Sequence, residues 1–134
     1  MASIDKGILG IPSHVPDLPV TLPVLPVLRA VVRFQVEGQH HWPQAPKERA
    51  YLRYMHRHLF HVEVTMTVGH QEREVEYHDL LDFCKESFGG GEMGPKSCET
   101  MALELLEKLC KKYPGRQYVV SIFEDGENGA VVSM

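Results

Sequence analysis

An α+β fold, built on an antiparallel sheet with two helices packed on one face, is the class this chain predicts, and three observations predict it. Two stretches with two-residue alternation, 30–41 and 54–68, come first; two stretches of helical period, 79–88 and 98–112, follow; an apolar run at 117–124 closes the pattern. With short strands added near 75–77 and 130–132, the order is β-β-β-α-α-β-β. Helices lying between two groups of strands bury their apolar stripes by sharing one sheet face.

Before the first strand, "GIPSHVPDLPVTLPVLPV" sets prolines at 12, 16, 19, 23 and 26. That spacing forbids a helix and removes too many ladder donors for a central strand. Residues 1–28 therefore read as an extended arm and 29–134 as a single domain. The Val and Leu residues between the prolines suit an arm laid on a surface, its own or a neighbouring subunit's; an unattached tail satisfies the same composition.

In "AVVRFQVEGQHH", Val32, Phe34, Val36, Gly38 and His40 share one parity, and Arg33, Gln35, Glu37, Gln39 and His41 the other. This is a half-buried strand whose apolar phase runs into His40. After the loop "WPQAPKERAYLRY", the next strand puts His56, His58, Phe60, Val62, Val64, Met66 and Val68 on one face and Arg57, Leu59, His61, Glu63, Thr65 and Thr67 on the other. Gly69-His70 and "QERE" predict a turn into a short strand around Val75–Tyr77.

From Asp79 the period becomes helical, ending at Gly89-Gly90-Gly91, which a helix interior does not tolerate well. "GGGEMGPK" is expected to be a flexible connector. The second helix runs from Cys98 to Lys112, with Cys98, Met101, Ala102, Leu105, Leu106, Leu109 and Cys110 as its stripe and Ser97 as its N-cap. Its lysines 108, 111 and 112 suit the C-terminal dipole, and Tyr113-Pro114-Gly115 ends it. "QYVVSIFE" then delivers Glu124, and "DGENG" turns the chain into a short returning strand.

A chain of 134 residues is the length of one ordinary domain. Its 14 basic and 18 acidic residues give a net charge of −4 without a basic cluster, so no nucleic-acid partner is expected. No apolar run approaches the roughly 20 residues of a membrane helix, and the first residues lack the pattern of a secretory leader; a soluble, cytoplasmic protein is expected. The three cysteines, Cys84, Cys98 and Cys110, form neither a disulfide framework nor a CxxC pair. Nucleophilic hydrolysis finds no G-x-S-x-G or Cys/His signature here.

Histidine is the enriched type, eight in all, with five between residues 40 and 61. His56 and His58, at i and i+2 of one strand, point to one face about 6.5 to 7 Å apart, close enough for two imidazoles to meet on one ion. His40 agrees with them in phase from the preceding strand. Three imidazoles that leave a fourth position open are a catalytic zinc arrangement. Buried histidines bonded to backbone would produce the same alternation. His41, His61, His70 and His78 fall in the polar phase or in turns and read as surface residues.

These residues resemble the 6-pyruvoyltetrahydropterin synthase and 6-carboxytetrahydropterin synthase family, whose members adopt the tunnelling fold. The family pattern of an aromatic strand ending in A-A-H-R-L-P, an H-G-H strand, V-V-D-F-x-x-L, P-T-x-E-N and a strand ending in E-T is similar to "VEGQHHWP", "HRHLFHVEVTM", "EVEYHDLL", "KSCETMA" and "VVSIFED". The match spans about residues 32–132 in order and spacing. It implies that His40, His56 and His58 bind zinc, that Glu124 anchors the edge of a pterin- or purine-like ring, and that the protein is a homo-oligomer, commonly a hexamer, with lyase chemistry between subunits. A carboxylate suits that anchor, because its two oxygens accept a ring N–H and an exocyclic amine together; an ordinary strand-end acid is the plainer reading of Glu124.

The departures are specific. The family's cysteine, four residues before the first histidine of the H-x-H pair, is Leu52 here, and its Asp-His pair between the helices is absent. The glycine of H-G-H is Arg57. Glu48 and Cys98 are the candidates for replacing the missing acid–base groups, with Cys84 a further thiol. Three functional expectations therefore stand: a zinc-dependent pterin synthase-like enzyme, a catalytically inactive pterin- or nucleotide-binding protein, and a structural oligomer.

Overall fold

The computed structural model describes residues 26–134, so the proline-rich arm, apart from its last three residues, lies outside the described residues. Eight elements follow one another. Strand β1 (Leu28–His40) leads through a 3-10 stretch (Lys47–Arg53) into β2 (His56–Val68); then come α1 (Tyr77–Phe88), β3 (Gly91–Glu92), α2 (Cys98–Lys112), β4 (Tyr118–Glu124) and β5 (Asn128–Ser133). The strands form one sheet in the order β3-β1-β2-β4-β5.

Alternation places the core. From β1 to β5, Val32, Phe34, Phe60, Val62, Val64, Met66, Tyr118, Val120, Ile122 and Ala130 are buried, while their neighbours on the other parity are exposed or half-buried. The helices supply the second layer: α1 packs on β1 through Leu80, Cys84 and Phe88, and α2 packs on β4 and β5 through Met101, Ala102, Leu105, Leu106 and Leu109. The expected α2 boundaries and cap hold, with the Ser97 hydroxyl accepting the Thr100 N–H at 3.1 Å. Among the described residues no helix is long and apolar enough to cross a membrane.

The sheet differs from expectation in one pairing. The long strands are antiparallel, but β3 pairs parallel with Gly38 and Gln39 of β1, so the sheet is mixed. A side chain on Gly90 (φ 94°) would sit 2.5 Å from Val36 Cγ2 and 3.0 Å from the Glu37 carbonyl, so the approach needs glycine there. The connector is tied down beyond this point, because Met93 N–H donates to Gln39 O at 2.7 Å and His41 N–H to Gly94 O at 3.0 Å.

The strand expected around Val75–Tyr77 does not form. Glu76 caps α1 instead, its carboxylate accepting the Asp79 N–H at 3.1 Å, and the helix begins at Tyr77. Val75 is buried in the core as an isolated anchor, and the flanking Glu74 and Glu76 are exposed. One apolar residue between two acids carries too little alternation to distinguish a strand from a helix entry.

Candidate metal centre

Strand register brings the three phase-matched histidines together. His40 pairs directly with His56, and Gly38, two residues earlier, pairs with His58. One ligand atom from each imidazole lies within 4.8 Å of the other two, and the group can hold a metal ion. The rings meet edge to face, with His40 at 4.6 Å from His56 and 5.2 Å from His58 between centroids. Phe60 forms the floor beneath His40 and His58 and is fully buried.

Hydrogen bonds settle which nitrogen of each ring is free. His40 Nδ1 lies 2.8 Å from the Lys96 carbonyl, and His56 Nδ1 lies 2.9 Å from the Tyr54 carbonyl. A carbonyl has no proton to give, so each Nδ1 is the N–H donor and each neutral ring keeps its lone pair on Nε2. His58 Nδ1 faces the Asp125 carboxylate at 2.8 Å, with the same result. His40 Nε2 and His58 Nε2 are buried and meet no donor, their near polar neighbours being the Glu124 oxygens. Buried lone pairs that converge with nothing to accept are what a cation satisfies, and a ring fixed through its other nitrogen is the usual support for a metal-binding histidine.

Asp125 was not singled out in the sequence. It sits just after β4 with φ at 56°, where its carboxylate also accepts the Leu59 N–H at 2.9 Å. The Leu59 N–H, and after it His58, hold this carboxyl below the usual aspartate value. Its position depends on a left-handed turn residue and on the β2–β4 register, neither of which leaves a spacing motif.

Glu124 ends β4 opposite Phe60 and reaches the cluster. Its Oε2 lies 3.0 Å from His40 Nε2 and its Oε1 lies 3.6 Å from His58 Nε2. Cys98, at the start of α2, donates its S–H to Glu124 Oε2 at 3.9 Å. Burial, followed by the charges of Glu124 and Glu99, pushes this thiol up to about 12, so it is a neutral donor at pH 7 and not a ready base.

A cleft of about 390 Å³ adjoins the histidines, with Trp42, Leu52, Lys96, Cys98, Glu124 and Gly129 in its wall. That volume is within the range of small-molecule sites. Leu52 stands in the wall as an apolar residue, its carbonyl accepting the Trp42 N–H at 2.7 Å. Glu48 is exposed on the 3-10 stretch and is not among the lining residues. Cys84 is buried on the core face of α1, its thiol also raised to about 12 by burial.

Of the other histidines among the described residues, His41 lines the same cleft, and His61, His70 and His78 do not. His70 and His78 are exposed as expected, whereas His41 and His61 are half-buried. His41 contacts Met55 Sδ at 2.9 Å, and His61 lies beside the Gln35 amide on the uncovered sheet face. Arg57 pairs with Glu37 across β1 and β2 on that same exposed face. The chain matches no model of a known protein family and no curated protein.

Proposed function

We propose that His40, His56 and His58 bind zinc and that the adjoining cleft takes a pterin- or purine-like ring, as the resemblance to the tetrahydropterin synthases implies. The observation that carries this reading is the convergence of imidazoles whose Nδ1 atoms are all engaged, two of which present buried Nε2 atoms that meet no donor. Imidazole nitrogen suits zinc, and bound zinc would supply a Lewis acid for an oxygen of the ligand side chain. Glu124, in the cleft wall, is the acceptor available to the ring N–H and amine.

Binding without turnover is the second reading, and a specific observation favours it. The position of the family cysteine is the apolar Leu52, and the nearest thiol, Cys98, is held protonated. A lyase reaction needs a group that takes a proton at neutral pH, and neither residue is one. Incubating the zinc-loaded protein with dihydroneopterin triphosphate separates the readings: a new pterin product supports the enzyme, and unchanged ligand that copurifies supports the binder. A thermal-shift panel of pterins and guanine nucleotides on wild type and Glu124→Ala tests the ring site, since a ligand of the folded state must raise its stability. No shift with any of them would remove the ring from the proposal.

We also propose that copies of the chain assemble through the sheet face that the helices leave bare. Val31, Val119 and Val131 are exposed there, at 42%, 37% and 58%. Register sets Val31 and Val119 on either side of Thr65, in one row across the sheet. A monomer by light scattering would contradict the assembly, and with it the third reading, a structural oligomer.

A further inference from the structure

Glu124 directs both carboxylate oxygens at histidine nitrogens, Oε2 at His40 Nε2 (3.0 Å) and Oε1 at His58 Nε2 (3.6 Å). In neutral rings those two nitrogens carry the lone pairs, because the Nδ1 atom of each ring is committed to Lys96 O or Asp125 Oδ2. Acceptors facing acceptors at this distance repel unless a proton or a cation lies among them. A proton on His40 Nε2 would make the 3.0 Å contact an ion pair; a cation among the histidines would take the same oxygen as a ligand. With bonds of about 2.0 to 2.1 Å, neighbouring ligand atoms around tetrahedral zinc are about 3.3 Å apart, and Glu124 Oε2, 3.0 Å from His40 Nε2, is near that separation.

We propose that Glu124 is the fourth ligand of the cation held by His40, His56 and His58 in the ligand-free protein. The inference rests on the metal reading of the histidines. It changes what the site does at rest: three histidines alone leave a position for water, whereas the carboxylate closes the sphere. Cys98 is the residue that positions this ligand, its S–H donating to the oxygen nearer His40. A ring that binds through Glu124 must draw the carboxylate off the metal, so capping the metal and anchoring the ring are exclusive uses of one side chain. Ligand entry would then open the coordination site as it fills the cleft.

Competition titrations of zinc against a chromophoric chelator, on the full chain and on Glu124→Gln and Glu124→Ala, test this. Loss of groups that only support a ligand weakens metal binding about 10- to 100-fold, so loss of a ligand itself should weaken it at least about tenfold. Circular dichroism in excess chelator establishes that the variants are folded. The wild-type protein loaded with Co²⁺ gives an independent arm: azide should leave its visible spectrum unchanged, because no position is open, and should shift the spectrum of Glu124→Ala. Zinc bound equally by wild type and both variants, or an azide shift in wild type, overturns the fourth ligand while leaving the histidine site intact. A wild-type protein that binds no zinc overturns the histidine site itself.

Discussion

At the scale of single residues, the candidate centre is a matter of which nitrogen faces inward. Three histidines on one sheet face do not make a metal site if their rings turn freely; here a carbonyl or a carboxylate fixes each ring from behind. Asp125 is the most specific of these supports, because it also accepts the Leu59 N–H and so is itself held. Replacing it by Asn removes the charge behind His58 and should weaken zinc binding about 10- to 100-fold with little change in fold. Isothermal titration with a competing chelator reads this directly, and unchanged affinity would show that His58 does not need its partner.

The thiols give a second prediction at this scale. Burial raises Cys84 and Cys98 to about 12, so both are protonated throughout the neutral range, while Cys110 is half-buried. Thiolate is the reactive form and exposure admits the reagent. Iodoacetamide at pH 8 should therefore label Cys110 first, and mass spectrometry should find Cys84 and Cys98 modified only after unfolding. Early labelling of Cys98 would contradict its burial against Glu124.

At the scale of elements, the hairpin of β4 and β5 carries one edge of the site, and Arg116 ties the opposite end of the sheet. Gly129 approaches β4 so closely that an added Cβ would lie 2.0 Å from the Ile122 carbonyl oxygen, which is backbone and cannot step aside. Gly129→Ala should cost about 1–3 kcal/mol by urea denaturation, as overpacking does, and should disturb metal binding through the adjacent Glu124–Asp125 pair. At the opposite end, Arg116 donates to Thr67 O at 3.0 Å and to Glu74 at 3.1 Å, tying the end of β2 to the entry of β4. The Gly69 N–H, and after it Arg116, hold the Glu74 carboxyl below its usual value. A depressed carboxyl stabilises the fold fully above its unfolded-state pKa of about 4.3, and that contribution is lost as pH falls through the lower folded-state value. The stability difference between wild type and Glu74→Gln should thus be present at pH 7 and vanish in acid; a pH-independent difference would mean that packing, not charge, is lost.

How far the elements were legible follows from the signal each one carries. β1 and β2 alternate for more than ten residues, so their faces, and with them His40, His56 and His58, could be read without a structure. The apolar stripe and the serine cap of α2 did the same for its boundaries. Val75 failed because a single buried residue has no period, and β3 failed because two residues paired to a strand edge leave no pattern at all. Glu124 was reached through a resemblance; its contact with His40 and His58 is a product of register between strands more than fifty residues apart in sequence. Asp125 was missed for the same reason, compounded by a backbone conformation that aspartate adopts only occasionally.

At the scale of the whole molecule, a metal held by the histidine cluster would be thermodynamically coupled to the fold. The three histidines come from β1 and β2, and the residues that contact them from β4, the turn after it and the loop before α2, so the unfolded chain has no such cluster. A cation bound only by the folded state stabilises it by RT ln(1 + [L]/Kd), about 2.7 kcal/mol at a free concentration of 100 times Kd. Zinc should raise the midpoint of thermal unfolding and a chelator should lower it. The fold itself rests on the apolar layer between sheet and helices, so Leu105→Ala, which empties a site 2% exposed, should cost about 2–5 kcal/mol with or without metal.

The central claim, that His40, His56 and His58 hold zinc, is tested most directly by the metal content of the purified protein. Elemental analysis by plasma mass spectrometry, after removal of loosely bound ions, should find one zinc per chain in wild type and none retained in a folded His56→Ala/His58→Ala variant. Metal-free wild type after zinc loading, or equal zinc in the variant, would contradict it.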